Sequence, residues 1–316
     1  MINKYFFFRA ILLSAAIVSL SAFVAAAENA SAADSSIRVL SFNIRLSWGE
    51  KGTPLEWRNR KAHVAEIIKS GDYDFVGIQE AIITMVPNFN QQSDLKKLLP
   101  GYGMLNRSRE VSRLEGESTP ILYKKDRWKM DEKQNGVFWL SAAPDAPGSK
   151  GTNAGCPRTV VWARFLELNN GIPTGKTVYF INTHFDHLSE TARQDASILL
   201  ANFIADRKNP QAPVILTGDF NCDCHSPAMR LLKGETIAFN GKDYSSPIKL
   251  QDAYDSVHPN EDGNYTYHQF GKVNRGNRID FIWTTPDFTV ESAQIIRNQK
   301  DGQYPSDHFP VQAVVK

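Results

Sequence analysis

The sequence predicts an α/β protein built from two packed β-sheets with helices on the outside. Three observations carry that prediction. Short runs of β-branched and aromatic residues recur along the chain. Segments with helical spacing of apolar residues fall into two main groups. Several apolar runs end abruptly on a polar side chain. Many strands with few helices pack as layers, each burying one face against the next.

Ile37 to Arg45 alternates as a strand, with Asn43 near its end. Arg58 to Lys69 places Ala62, Ala65, Ile67 and Ile68 among charged residues, an amphipathic helix that Ser70-Gly71 terminates. Asp74 to Glu80 is the next buried strand and ends in a carboxylate; a second helix runs from about Asn90 to Leu99. Pro120–Tyr123, Gly136–Leu140, Thr159–Leu168 and Thr177–Thr183 are strands. Ser189 caps a helix that extends to Arg207. Val214-Ile215-Leu216, bounded by Pro213 and Gly218, is a buried strand. If the chain stays extended beyond it, Asp219 and Asn221 share one face; the ordinary reading is a polar turn that closes the strand. A short helix at Pro227–Lys233 follows, then strands at Tyr265–Phe270, Ile279–Thr284, Phe288–Ile296 and Phe309–Val315.

Residues 1–27 stand apart from this core. Lys4 and Arg9 precede the uncharged apolar run Ala10–Val24, and Ala25-Ala26-Ala27 offers small residues for cleavage. That is the pattern of a secretory signal peptide; a retained anchor is the alternative. Residues 28–36 are a polar, flexible segment, and residues 37–316 read as one domain without repeats or long linkers. Losing two cations of the leader takes the net charge from +2 to about zero, which lacks the overall footprint of a strong nucleic-acid binder. With only Cys156, Cys222 and Cys224 this is no disulfide scaffold, although an exported chain has the means to pair Cys156 with one of the others.

Polar residues at the ends of apolar runs are Asn43, Glu80, His184, Asp219, Asn221, Asp280, Asp307 and His308. Each has an ordinary reading. Glu80 and Asp307 suit solvated loops, Asn43 suits a turn, the histidines suit a hydrogen-bonded rim, and Asp280 has Arg278 nearby. Their shared placement at strand ends argues for a site, because oxygen donors gathered there suit a hard divalent cation or a phosphate.

Ser41-Phe42-Asn43, Gln79-Glu80, Asn182-Thr183-His184, Gly218-Asp219-Phe220-Asn221, Arg278-Ile279-Asp280-Phe281 and Ser306-Asp307-His308-Phe309-Pro310-Val311 occur in the order of the endonuclease/exonuclease/phosphatase superfamily. From about residue 37 to the last residue the chain resembles that DNase I-like family of metal-dependent phosphoesterases. Phe138-Trp139-Leu140-Ser141, Pro157-Arg158, Trp162 and Thr183–His187 are similar to its exported bacterial members. The resemblance implies a four-layer α/β/β/α sandwich of two mixed sheets. It also implies a magnesium site at Glu80 with Asn43 and Asp307, manganese being the other suitable ion. By the same resemblance Asp219 and Asn221 position the attacking water. His308, oriented by Asp280, is the acid or base on the phosphate side; His184 is a second donor to phosphate, oriented by Glu117. Arg158 is either a phosphate clamp or a surface ion-pair partner. Asp186 and His187 extend the site, or His187 only caps the following helix.

The function expected is a magnesium-dependent phosphoesterase acting by activated water on a small-molecule or lipid-derived phosphate ester. Its place is periplasmic or extracellular, as a monomer with no membrane anchor after cleavage. The alternative is a secreted DNA or RNA nuclease using the same site, for which Arg107, Arg109, Arg113, Arg275 and Arg278 offer basic residues near the rim. A binding module that has lost its chemistry would lack a carboxylate or histidine, and none is missing.

Overall fold

The computed structural model describes residues 36–259, 261 and 264–316. The predicted leader at 1–27, and the segment at 28–36 except Ser36, lie outside the described residues. Strand β1 (Ile37–Asn43) shows how the layers arise. Ile37 and Val39 point into one core while Leu40 and Phe42 point into another, as the two-residue period of a strand requires. Strand β2 (Phe75–Gln79) repeats the division, with Phe75 on the first side and Val76 and Ile78 on the second. These two strands are parallel, so the chain must cross over between them, and helix α1 (Trp57–Gly71) makes the crossing. Asp72, in the left-handed conformation, ends it by donating its N–H to the Lys69 carbonyl.

The first sheet runs in the order β15 (Val290–Ile295), β16 (Val311–Val315), β1, β2, β6 (Ile121–Lys124) and β4 (Tyr102–Leu105). The second runs β13 (Gln251–Asp252), β14 (Asp280–Thr284), β10 (Val214–Asp219), β9 (Ile172–His184), β8 (Thr159–Asn169) and β7 (Trp128–Trp139). Both sheets mix parallel and antiparallel pairs. Val39, Phe75 and Ile121 from one sheet meet Phe165, Phe180 and Ile215 from the other; the Phe75 and Phe180 rings stack with centroids 4.9 Å apart. Burying each of these side chains is worth roughly 2–3 kcal/mol. Outside the first sheet lie α1 and α2 (Gln91–Leu98), and outside the second lie α3 (Glu190–Ala205) and α4 (Pro227–Leu232). The layering is therefore the α/β/β/α sandwich expected.

Strands β3 (Ala81–Ile83) and β5 (Gly116–Ser118) pair in a small ribbon, β11 (Thr236–Phe239) and β12 (Lys242–Ser245) form a hairpin, and α5 (Ala253–Val257) follows β13. The sequence reading contained none of these, nor β4. One expected strand is absent. Tyr265–Phe270 has the composition of a strand, but only Tyr267 makes an isolated bridge, to His308. His268 Nδ1 accepts the Gly271 N–H at 3.0 Å, and Gln269 and Phe270 adopt φ of 51° and 56°, so the chain turns. A side chain that satisfies a nearby backbone N–H competes with the ladder, and here it prevails. Cys156, Cys222 and Cys224 are all free, so the disulfide considered for Cys156 does not form. Among the described residues no helix is long and apolar enough to cross a membrane.

Under one edge of the sandwich the sheets come unusually close. A Cβ at Gly77 would lie 2.0 Å from Thr217 Oγ1 and 2.6 Å from Asn182 Oδ1, so only glycine fits. At Gly218 a Cβ would meet the Thr183 carbonyl at 2.7 Å. Strands β1, β2, β9, β10 and β14 bring the candidate residues to that edge.

Candidate active site

Strand register assembles the centre of the site. Asp219, at the end of β10, pairs with His184 of β9 on one side and with Asp280 of β14 on the other. Asn43 pairs with Gln79, which places Glu80 next to Asn43 as the chain leaves β2. Three residues here hold left-handed backbone without being glycine: Arg45 at φ 56°, Glu80 at 62° and Asn221 at 51°. Such conformations cost on the order of 1 kcal/mol or more each and concentrate at functional sites.

Asp219 is the hub. Its Oδ2 accepts from Asn43 Nδ2 at 2.9 Å and lies 3.4 Å from His184 Nε2 and 3.8 Å from His308 Nε2. Its Oδ1 accepts the Asn221 N–H at 3.0 Å. Asn221 Nδ2 donates to the Phe185 carbonyl and lies 3.0 Å from His184 Nε2. On the far side His308 Nδ1 lies 2.9 Å from Asp280 Oδ2, and the Asp280 N–H donates to Thr266 Oγ1. Ser306 Oγ donates to the Asn43 carbonyl at 2.6 Å, stitching the last loop to β1. Every residue expected in the site is therefore here, and all but Glu80 and Asn221 are buried.

Burial pushes the His308 imidazolium toward the neutral form, but Asp280 and then Asp219 override it and raise its pKa to about 10. Burial alone would raise the Asp219 carboxyl; His184 and His308 instead hold it below the usual carboxylate range. Asp307 moves the other way. Burial, with the nearby Glu80 charge adding to it against the pull of His308, brings its carboxyl up to about 6.

Glu117 anchors the rim. Its Oε1 receives Arg109 Nη1 at 2.6 Å and Arg158 Nη1 at 3.3 Å, and lies 3.4 Å from His184 Nδ1 without a hydrogen bond to it. Arg158 is 6% exposed, which removes the reading of a surface ion pair. Its Nη2 meets His187 Nδ1 at 3.2 Å. Ser189, not His187, caps α3, while Asp186 Oδ1 accepts the Leu188 and Ser189 N–H groups. Cys156, Asp186 and His187 do cluster, but Asp186 Oδ2 takes the Gly155 N–H and His187 faces Arg158. These four hydrogen bonds explain the cluster without an ion.

Arg45 escaped the sequence reading. It lines the pocket, binds Glu50 through Nε at 3.1 Å, and sits 3.6 Å from Asp307 and 3.9 Å from Glu80. Arg60, also missed, is buried and donates through Nη1 to the Ile44 and Pro305 carbonyls, tying β1 to the loop that carries Asp307. The only signal was position: Arg45 lies two residues past Asn43, whose Oδ1 accepts its N–H. Arg278, expected near a basic rim and beside Asp280, is instead buried in ion pairs with Asp252 and Asp255.

The donor set fits a hard divalent cation. Glu80 and Asp307 are two carboxylates that both face the Arg45 guanidinium, and the Glu80 charge adds to the burial that raises the Asp307 pKa. Asn43 turns its Nδ2 toward Glu80 (3.0 Å) and Asp219 and its Oδ1 toward the Arg45 N–H, so the carboxylates rather than the amide oxygen present donors to an ion. The cavity holds about 360 Å³ and is lined by Glu80, Asp219, Asn221, His184, Asp307 and His308, with Arg45, Arg109, Arg158 and Tyr267 at its walls.

A buried carboxylate–histidine cluster beside carboxylates able to hold a divalent cation, at one edge of a four-layer sandwich, is the arrangement of a phosphoesterase. The chain belongs to the Endonuclease/Exonuclease/phosphatase family, whose model matches residues 40–308. Among solved structures it is similar to an endonuclease/exonuclease/phosphatase from Bacteroides vulgatus, at 30% identity and TM-score 0.77 over 90% of this chain and 99% of that one. A mannosyl-6-phosphatase from Bacteroides thetaiotaomicron is similar at 28% identity and TM-score 0.73 over 89% and 99% of the two chains. D. rerio TDP2 in complex with a single-strand DNA product shares the fold at 19% identity and TM-score 0.65, over 90% of this chain and 100% of that one. Comparison with curated protein sequences finds no match. The protein is a hydrolase of phosphate ester bonds, in a family whose members generally depend on divalent metal.

Proposed function

We propose that the protein is a magnesium-dependent phosphoesterase that hydrolyses a small-molecule phosphate ester outside the cytoplasm. The observation that carries the substrate class is the size of the pocket, and the pairing of three rim arginines agrees with it. Arg109 is committed to Glu117, Arg158 to Glu117 and His187, and Arg278 to Asp252 and Asp255. A nucleic acid needs a track of available cations along its phosphates; these pairings shorten such a track, although Arg107, Arg113 and Arg275 form no ion pair among the described residues. A pocket of about 360 Å³ suits one phosphate and a small group. The likeness to a mannosyl-6-phosphatase supports the same reading.

Glu80 and Asp307 would hold the magnesium ion; when bound it supplies Lewis-acid neutralisation of phosphate charge. Asp219, kept ionised by the two histidines, accepts a proton from the attacking water. Asn43 and the Asn221 N–H fix its carboxylate in place. His308, charged through Asp280, donates toward the phosphate rather than acting as a base. His184, steadied by Glu117 and Asn221, is the second donor. The leader-like composition of residues 1–27 supports a periplasmic or extracellular location.

The test is turnover of sugar phosphates, inositol phosphates, phospholipids, DNA and RNA by the purified protein with magnesium, manganese or chelator. Magnesium-dependent release of phosphate from small esters, with DNA and RNA intact, is expected. Degraded nucleic acid beside untouched small esters would overturn the proposal. Intact-mass analysis of exported protein tests the leader: a chain beginning near residue 28 is expected, and one retaining residues 1–27 counts against export by cleavage.

A further inference from the structure

Leu46, Arg109 and Glu117 line not only the catalytic pocket but also a second cavity of about 420 Å³, whose walls include Trp48, Glu110 and Glu115. Trp48 is 48% exposed and, among the described residues, makes no ring contact. Its loop is nevertheless pinned, because Ser47 Oγ donates to the Phe89 carbonyl at 2.7 Å and Arg45 holds Glu50 at 3.1 Å. Gly116 lines the same cavity at φ +118°, where a Cβ would lie 2.5 Å from both Glu110 Cγ and Ser108 Oγ. Glu110 and Glu115, on either side of that close approach, line the cavity with the indole. Arg109, held by Glu117 at 2.6 Å and Glu110 at 3.3 Å, lines both spaces and joins their rims.

A cavity lined by an indole and by carboxylates selects its occupant by chemistry. A polyanion is repelled, and an alkyl chain would strip water from Glu110 and Glu115 with no hydrogen bond in return. A neutral polyhydroxylated ring satisfies both groups. Its C–H face packs on the indole, and its hydroxyls donate to the carboxylates. We propose that this cavity is the subsite for a sugar ring whose phosphate occupies the catalytic pocket, with Trp48 as the stacking platform and Glu110 and Glu115 as hydroxyl acceptors. The inference rests on the phosphoesterase reading and narrows it to sugar phosphates.

The experiment compares wild type, Trp48→Ala and Trp48→Phe on the 6-phosphates of mannose, glucose and N-acetylglucosamine, with methyl phosphate as an ester too small to reach the subsite. In Trp48→Ala the best sugar phosphate should lose about tenfold in kcat/KM, mostly through KM, while methyl phosphate changes by less than about twofold; Trp48→Phe should recover most of the loss. Equal losses on both substrates, or no loss on either, overturn the assignment. So does a wild type that turns over methyl phosphate as well as any sugar phosphate. A loss confined to a short-chain phosphatidic acid would give the indole to a lipid and also overturn it. Titration of the corresponding methyl glycosides, followed by indole fluorescence, needs no turnover. A change in wild type that disappears in Trp48→Ala supports the subsite even if every ester is inert, and no change in wild type rejects it. Inert esters alone defeat the phosphoesterase reading and leave that binding result to stand by itself.

Discussion

Gln79 Nε2 donates to Asn182 Oδ1 at 2.8 Å across the gap between the two sheets, and neither side chain touches solvent. The same Asn182 donates through Nδ2 to the Ile78 carbonyl at 2.7 Å and accepts from Thr217 Oγ1 at 3.0 Å. One buried amide thus locks β2 against β9 and β10, directly beneath Glu80, His184 and Asp219. The close approach at Gly77 makes the lock short enough to work. Both residues belong to sequence motifs of the site, yet their work is to fix the distance between its two halves.

Replacing Asn182 with Ala leaves several buried partners unsatisfied. The variant is expected to lose about 2–4 kcal/mol of stability, seen as a lower urea midpoint at unchanged slope. Turnover should fall as well, because Glu80 and Asp219 then lose their common reference. A variant with wild-type stability would remove the amide from this role.

Asp280→Asn tests how His308 is oriented. The amide nitrogen would face the imidazole Nδ1–H, so the ring loses both its charge partner and its tautomer. A drop of about 10²–10⁴-fold in kcat is expected, with little change in KM. His308→Asn should cost about as much, and the double variant little more, because the pair acts as a unit. Additive losses would mean that the two residues act separately.

How far the sequence led depends on the range of the interaction. Asn43, Glu80, His184, Asp219, Asp280, Asp307 and His308 stood out because each ends an apolar run, a local pattern. The inter-sheet contact of Gln79 with Asn182 depends on register between segments far apart in the chain, which periodicity does not encode. Arg45 and Arg60 carry no pattern of their own, and their roles come from carbonyls and carboxylates delivered by other elements. Tyr265–Phe270 misled because alternating aromatic and polar residues look like a strand, while the decisive contact is His268 with the Gly271 N–H. The β11–β12 hairpin turns on Asn240-Gly241, both at positive φ, but its polar flanks hide it.

Glu117 makes stability depend on acid pH. Burial would raise its pKa, yet Arg109, then the contact with His184, then Arg158 hold it at about 2, against an ordinary value of 4.5. A carboxyl with a depressed folded pKa stabilises the fold fully above its unfolded pKa, and loses that contribution as pH falls toward the folded one. The wild type should therefore lose on the order of 3 kcal/mol from this group as pH drops from about 4.5 to 2. Glu117→Gln should be less stable at pH 7, because two arginines lose their shared partner, but should show a shallower decline in acid. Parallel curves from chemical denaturation at several pH values would reject the account.

Removing the negative charge at Glu80 should separate metal binding from folding. Without divalent ions, burial raises the Asp307 carboxyl to about 6, and the like charge of half-buried Glu80 adds to that cost. Magnesium relieves it by binding only the folded protein, and at a hundred times its Kd it should add about 2.7 kcal/mol of stability. Wild-type Tm should rise with magnesium and fall back with chelator, and turnover should follow the same course. Glu80→Gln, free of the like-charge repulsion, should match or exceed the wild-type Tm in chelator, as expected where function and stability conflict. It should then fail to gain from magnesium, so the two melting curves cross in order as the ion is added. A Glu80→Gln protein that gains as much Tm from magnesium as the wild type would place the ion on other residues.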